Sequence, residues 1–254
     1  MSAGRRGVLR SVGRGVRVRY WDAAGMERLV SLDRAAGVVF EDCEAARVIP
    51  SYVGQRHTPG LYWAASGDRL VGYESHLEQQ RLTLLDFDPD VTVFATQPLI
   101  FEGEDAEGHW LHVPDVFARR RDGSVLLVDV KPLRFQPAPG VERQRARTAA
   151  VCAELGWAYE MVGEPDPGLW ATVSWLAGYR RPLNAGAALV GPLLALAGRP
   201  VAIGDLVAFQ TAPELALPVV FHLMWHCRLH FDMARPLRET TRVWAPDGTG
   251  GITG

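Results

Sequence analysis

"VLLVDVKPLR", Val125 to Arg134, is an apolar run that closes on an aspartate, a valine, a lysine and a proline. Of the 27 lysines and arginines in the chain, Lys131 is the only lysine. Successive side chains of a strand alternate between faces, so Asp129 and Lys131 share one face and Val128 and Val130 the other. The apolar remainder predicts a strand buried on at least one side, where an aspartate is almost never found unless paired. Pro132 biases Lys131 toward extended backbone and ends the ladder. The strand therefore delivers one carboxylate and one ammonium at its end. Taken alone, such an end reads first as an ion-paired strand end facing water.

Working outward, Asp115 in "HVPDVF" precedes Asp129 by 14 positions, across one turn at Asp122 and Gly123. Upstream, "VTVFATQPLIFE" and "HWLHVPDVFARR" read as antiparallel strands around a solvated "EGEDAEG" turn. Leu77, Leu82, Leu84 and Leu85 lie among polar residues and Pro89 stops the pattern, which predicts a helix from Tyr73 to about Asp86. Its "ESHLE" places Glu74 and Glu78 four apart, on one face. Downstream, "VERQRARTAAVCAELG" predicts a helix ending at Gly156, "WAYEMVG" a strand and "GLWATVSWLAGYRR" another helix. The fold class is therefore α/β: helix, antiparallel meander, helix, strand.

Residues 182–188 have the composition of a linker. Beyond them, "GPLLALAGRPVAIGDLVAF" and "ELALPVVFHLMWHC" predict short helices and "RLHFDMARPLRETTRVW" a two-stranded hairpin, together a small winged-helix-like domain. The expected organisation is a basic arm over 1–20, an α/β domain over 21–181, the winged-helix-like domain over 182–245 and a disordered tail over 246–254.

At 254 residues, 48% hydrophobic and 22% charged, the composition is that of an ordinary globular protein. The longest apolar stretch, Ala185 to Ala197, is broken by Gly191 and Pro192, so no membrane span is expected. Arginines stand where a secretory signal needs its apolar core. Cys43, Cys152 and Cys227 lack CxxC spacing and read as reduced thiols of a cytoplasmic protein. The net charge of −2 conceals an asymmetry: the first 20 residues carry six arginines and no acid. A basic arm before an acidic body suits contact with nucleic acid phosphates, and equally a solvated terminus.

Acidic groups arriving from helix, hairpin and strand repel one another if they converge, and a divalent cation relieves that repulsion. Carboxylates that hold Mg²⁺ beside one lysine are the equipment of phosphodiester hydrolysis: the metal polarises the phosphoryl oxygen, and the lysine orients or deprotonates the attacking water. An arginine stays protonated and presents a wide planar fork, so it cannot act as that base.

A glutamate, then "PD", a gap, then D-x-K is the PD-(D/E)xK nuclease pattern. From about Tyr52 to Arg181, "YESHLEQQRLTLLDFDPDVTVFATQP", "HVPDVFARRRDGSVLLVDVKP" and "CAELGWAYEMVGEPD" resemble the N-terminal domain of TnsA-like endonuclease subunits of heteromeric transposases. The resemblance implies a restriction-endonuclease-like core with catalytic Glu78, Asp115, Asp129 and Lys131. Glu78, Asp115 and Asp129 would hold Mg²⁺, for which Mn²⁺ can substitute. Some family members have glutamine at position 129, and Glu74 also matches a recurrent residue and could replace Glu78. The implied activity is cleavage of double-stranded DNA at the 5′ ends of a transposable element. The implied partners are a DDE-type transposase, which cuts the 3′ ends, and an AAA+ ATPase regulator. The competing readings are a stand-alone restriction or repair nuclease and a catalytically silent DNA-binding or scaffold subunit.

His222, His226 and His230 fall at helical spacing beside Cys227, but "CRLHFD" reads as a helix end entering a strand, which favours unligated histidines over a zinc site. His109 and His112 lie on opposite faces of a strand, and only His112 is near the site. Arg119 to Arg121 and "ERQRAR" are candidates for phosphate contact or for a solvated face. The tryptophans read as mostly core.

Overall fold

The structure, a computed structural model, describes residues 15–47 and 59–246. Most of the expected basic arm and all but the first residue of the expected tail lie outside the described residues. In chain order the first elements are β1 (Arg17–Trp21), β2 (Glu27–Ser31), α1 (Leu32–Ala35), β3 (Gly60–Ala64), β4 (Arg69–Tyr73), α2 (His76–Phe87) and β5 (Val91–Thr96). They continue with β6 (Ile100–Asp105), β7 (Gly108–His112), β8 (Val116–Arg120), β9 (Val125–Val130), α3 (Pro139–Leu155) and β10 (Ala158–Val162). After these come α4 (Pro167–Leu176), α5 (Val190–Leu196), β11 (Val201–Ala202), α6 (Ile203–Ala208), α7 (Pro213–Trp225), β12 (His230–Phe231) and β13 (Arg242–Trp244). The described residues of Met1–Tyr62, Val71–Glu78 and Asp90–Glu164 form one unit; those of Trp63–Leu70, Gln79–Pro89 and Pro165–Gly254 form a second.

The first unit holds two four-stranded sheets, ordered β10-β9-β8-β5 and β2-β1-β6-β7. In the first sheet β5, β8 and β9 pair antiparallel, whereas β10 runs parallel to β9. A parallel pair needs a long crossover, which α3 supplies. Val125 to Asp129 are all buried, which accounts for a nearly continuous apolar run rather than an alternating one. Phe117 and Leu127 of this sheet share a core with Val18, Phe101 and Trp110 of the other and with Val151 and Cys152 of α3. Each fully buried large side chain here contributes about 1.5–3 kcal/mol relative to exposure. Helix α3 opens with Pro139 in its first turn and closes on Gly156, whose φ of 70° is the left-handed conformation glycine tolerates.

Two expectations need correction. The helix predicted from Tyr73 begins at His76, because Tyr73 still belongs to β4 and Ser75 caps the first turn. The two long strands predicted on either side of the "EGEDAEG" turn are each divided. β5 and β8 pair in one sheet, while β6 and β7 form a hairpin on the edge of the other, where β6 pairs with β1. The break after β5 is at Gln97, a non-glycine residue with φ of 50°, followed by Pro98. The break before β8 contains Pro114, which has no N–H to offer a ladder.

In the second unit α5, β11, α6, α7, β12 and β13 follow in that order, and the strands form a small antiparallel sheet ordered β11-β13-β12. Its core joins Val173 and Leu176 of α4 to Leu193, Leu206, Leu223 and Val243. The chain is thus a mixed α/β protein with antiparallel sheets and one parallel pair. No helix among the described residues is long and apolar enough to cross a membrane. Of the tryptophans, Trp110, Trp157 and Trp225 are buried and Trp175 is exposed, so the expectation of a mostly core set holds only in part.

A candidate active site around Asp115

β8 and β9 pair Val116 with Val128 and Phe117 with Leu127. One further step in the same register sets Asp115 opposite Asp129, where like charges are destabilising. Asp115 takes over the work of the ended ladder: its Oδ2 accepts the Val130 N–H at 2.7 Å. Its own carbonyl accepts the Gln97 N–H at 2.9 Å, and the Gln97 carbonyl accepts the Ala46 N–H at 2.7 Å. The left-handed turn at Gln97 therefore anchors the Asp115 backbone.

The Asp115 carboxyl is pushed up to about 8. Burial is the largest cause, and the charges of Asp129, Glu78 and Glu74 add to it against the Val130 hydrogen bond. The four carboxyl groups singled out in the sequence are therefore brought into electrostatic reach of one point.

The two glutamates differ in what their oxygens do. Ser75 caps α2 in a variant of the capping box: the Glu78 N–H donates to Ser75 Oγ at 3.2 Å and Ser75 Oγ donates to Glu78 Oε1 at 2.9 Å. Glu78 Oε2 accepts the Glu74 N–H at 2.8 Å, so both Glu78 oxygens are committed to the helix start. Glu74 Oε2 lies 3.3 Å from an Arg47 guanidinium nitrogen. Glu74 Oε1 is buried with no hydrogen-bond partner among the described residues. A buried, unsatisfied carboxylate oxygen is costly. The same oxygen is an available donor for a cation.

Asp129 is only 4% exposed. His112 Nε2 lies 3.0 and 2.9 Å from its two oxygens, and Tyr159 Oη donates to Oδ2 at 2.6 Å. Gln144 Nε2 donates to His112 Nδ1 at 2.7 Å. Burial, then the Asp129 charge, pushes the Tyr159 hydroxyl well above the ordinary range, so it remains a donor. His112 had no assigned role in the sequence, and Gln144 and Tyr159 carried no signal. The one available clue was that a buried aspartate requires donors.

Lys131 follows β9. Its N–H donates to the Val162 carbonyl at 2.8 Å and its carbonyl accepts from Gln136 Nε2 at 2.9 Å. Among the described residues its partly buried ammonium pairs with no carboxylate. The structure thus gathers the carboxylates and leaves the lysine at the adjacent strand end, unengaged by them.

Three of the other charged candidates, Arg119, Arg143 and Arg147, are held in ion pairs. Arg119 forms a two-point pair with Glu41, at 2.9 and 3.0 Å. Arg147 binds Asp105 at 2.7 and 3.0 Å, and Arg143 binds Glu107 at 3.0 Å, so the acidic turn expected to be solvated covers arginines of α3. Helix α7 ends at Trp225, and His222 and His226 contact the backbone carbonyls of Tyr179 and Arg180. Among the described residues no three histidine, cysteine, aspartate or glutamate side chains already surround a common point as metal ligands. No family model and no curated protein matches the chain.

Proposed function

We propose that the chain is a metal-dependent DNA endonuclease that hydrolyses phosphodiester bonds at the 5′ ends of a transposable element, as a subunit of a heteromeric transposase. The observation that carries this reading is that the buried Asp115 carboxyl feels the charges of Asp129 on β9, Glu78 in the first turn of α2 and Glu74 just before that helix. The order α2, β5–β8–β9, α3, β10, a helix, three antiparallel strands, a helix and a parallel strand, supports the reading of a restriction-endonuclease-like core. The order α5, β11, α6, α7, β12, β13 is compatible with the winged-helix-like reading.

The donors fit a hard divalent cation: all are carboxylate oxygens, one of them buried and unsatisfied, and their mutual repulsion is what a cation neutralises. Asp115 and Asp129 would hold Mg²⁺ or Mn²⁺ with Glu74, whose buried Oε1 accepts no hydrogen bond among the described residues, or with Glu78, whose two oxygens accept one hydrogen bond each. The bound metal supplies Lewis acidity toward the phosphate and a more acidic water. Lys131, without a carboxylate partner among the described residues, is free to orient or deprotonate the attacking water.

Sequence readout comes from a partner in this proposal. The chain beyond residue 20 is acidic, and arginines in a short arm contact phosphates without reading bases. The test incubates purified protein with Mg²⁺ or Mn²⁺ and a fragment carrying the element ends, with and without a DDE-type transposase. Cutting at the 5′ ends only in its presence is expected. Robust cutting without it would favour a stand-alone nuclease, and no cutting in either case a silent scaffold subunit.

A further inference from the structure

The Asp129 carboxylate is where the layers of the first unit meet. Asp129 comes from β9 and Tyr159 from the parallel neighbour β10, His112 ends β7 of the other sheet, and Gln144 lies on α3. Tyr159 pairs with Leu127, two residues before Asp129, so it reaches its acceptor diagonally across the ladder on the same face. A carboxylate offers roughly four acceptor sites, and the two His112 contacts and the Tyr159 hydrogen bond use all but about one. The amide nitrogen of Gln144 has only protons to give, so His112 Nδ1 accepts and the imidazole proton sits on Nε2, toward Asp129.

This is more polar machinery than a structural aspartate needs. A buried ion pair or a plain apolar residue would close the strand at no greater cost. A carboxylate that must meet a cation differs: its remaining acceptor site has to be held in one direction, and donors bound to its other sites do that.

We propose that His112, with its tautomer set by Gln144, and Tyr159 are positioning residues that hold Asp129 for a divalent cation. This rests on the reading of the site given above. They touch neither metal nor DNA and act only through Asp129. Losing an outer hydrogen bond of this kind weakens metal binding roughly tenfold to a hundredfold.

The experiment is calorimetric titration of the full chain with Mn²⁺, on wild type, Asp129→Asn, Tyr159→Phe, His112→Leu and His112→Gln, with near-ultraviolet dichroism to confirm folding. Tyr159→Phe should raise the Mn²⁺ Kd about tenfold or more. His112→Gln, which keeps a donor, should bind more tightly than His112→Leu. In an Asp129→Asn background Tyr159→Phe should change nothing further, which a role confined to packing would not produce. If His112→Leu fails to fold, Tyr159→Phe and His112→Gln still decide the matter. Wild type that binds Mn²⁺, weakened by Asp129→Asn but unaffected by Tyr159→Phe and His112→Gln, would overturn the positioning role alone. Wild type that binds no Mn²⁺ would overturn the metal centre itself and this inference with it.

Discussion

Replacing Asp115 by asparagine should stabilise the metal-free protein, and by more as the pH rises. Unfolded, this carboxyl loses its proton near its ordinary value of 3.8; folded, burial and the charges of Asp129, Glu78 and Glu74 hold the proton to about 8. Between those values the native state binds one proton more than the unfolded state, so the residue's contribution to stability falls as pH increases. The slope is about 1.4 kcal/mol per pH unit, which accumulates to a ceiling of about 4 kcal/mol by pH 7 and levels off above pH 8. Asparagine has the same shape and its Oδ1 can still accept the Val130 N–H, so the variant keeps the local geometry and lacks only the titration. For a domain of this size the ceiling corresponds to roughly 10 °C in melting temperature. The assay is urea or thermal unfolding of both proteins in chelator between pH 4 and 8.5, plotted as the difference between them. A difference near zero at pH 4 that widens steadily to pH 8 is expected. A difference independent of pH, or a variant less stable than wild type at pH 7, would refute the convergence of carboxylates on Asp115.

Two further outcomes follow from the same site. Lys131→Arg should abolish cleavage while folding and DNA association stay nearly intact, because a guanidinium neither deprotonates water nor fits as a compact point charge; nicking by the variant at the wild-type rate would remove Lys131 from the chemistry. Saturating Mg²⁺ should raise the melting temperature, by about 2.7 kcal/mol of stability at a hundredfold excess over Kd, and Asp115→Ala should cancel that gain. Glu74→Gln should also cancel it. Glu78→Gln, which keeps an oxygen to accept at the helix start and the N–H that donates to Ser75, should leave the metal-free stability nearly unchanged and preserve the metal increment. Melting curves of the four proteins with and without Mg²⁺ separate the two glutamates.

Elements with strong local signatures were legible from the sequence. Pro139 and Gly156 bracket α3, and the apolar run before Lys131 is β9. The order of helix, strands, helix and strand followed from these. The partition of strands between two sheets did not, because it depends on β1, some eighty residues away in the chain, accepting β6 as its neighbour. Nothing in the alternation of Ile100 to Asp105 distinguishes pairing with β1 from pairing with β5. At the site the case is similar: Asp115, Asp129 and Lys131 could be grouped from the sequence because their spacing is short and spans one turn between two strands. Glu74 and Glu78 could not be separated by helical spacing, since residues four apart share a face.

What separates them was nonetheless partly written in the chain. S-x-x-E ahead of a helical pattern is a capping signature. In the structure it commits Glu78 to the backbone and leaves Glu74 with a buried, unsatisfied oxygen. In the proposed metal site this favours Glu74, whose Oε1 is unsatisfied, over Glu78, whose two oxygens each already accept one hydrogen bond. In the same proposal Asp129, bonded to His112 and Tyr159, would meet a cation with about one remaining acceptor site, while Asp115 retains an oxygen that accepts nothing among the described residues. The carboxylates are therefore unequal partners. In the proposed site Asp115 would gain most from a cation, through relief of charge, and Asp129 would contribute a direction.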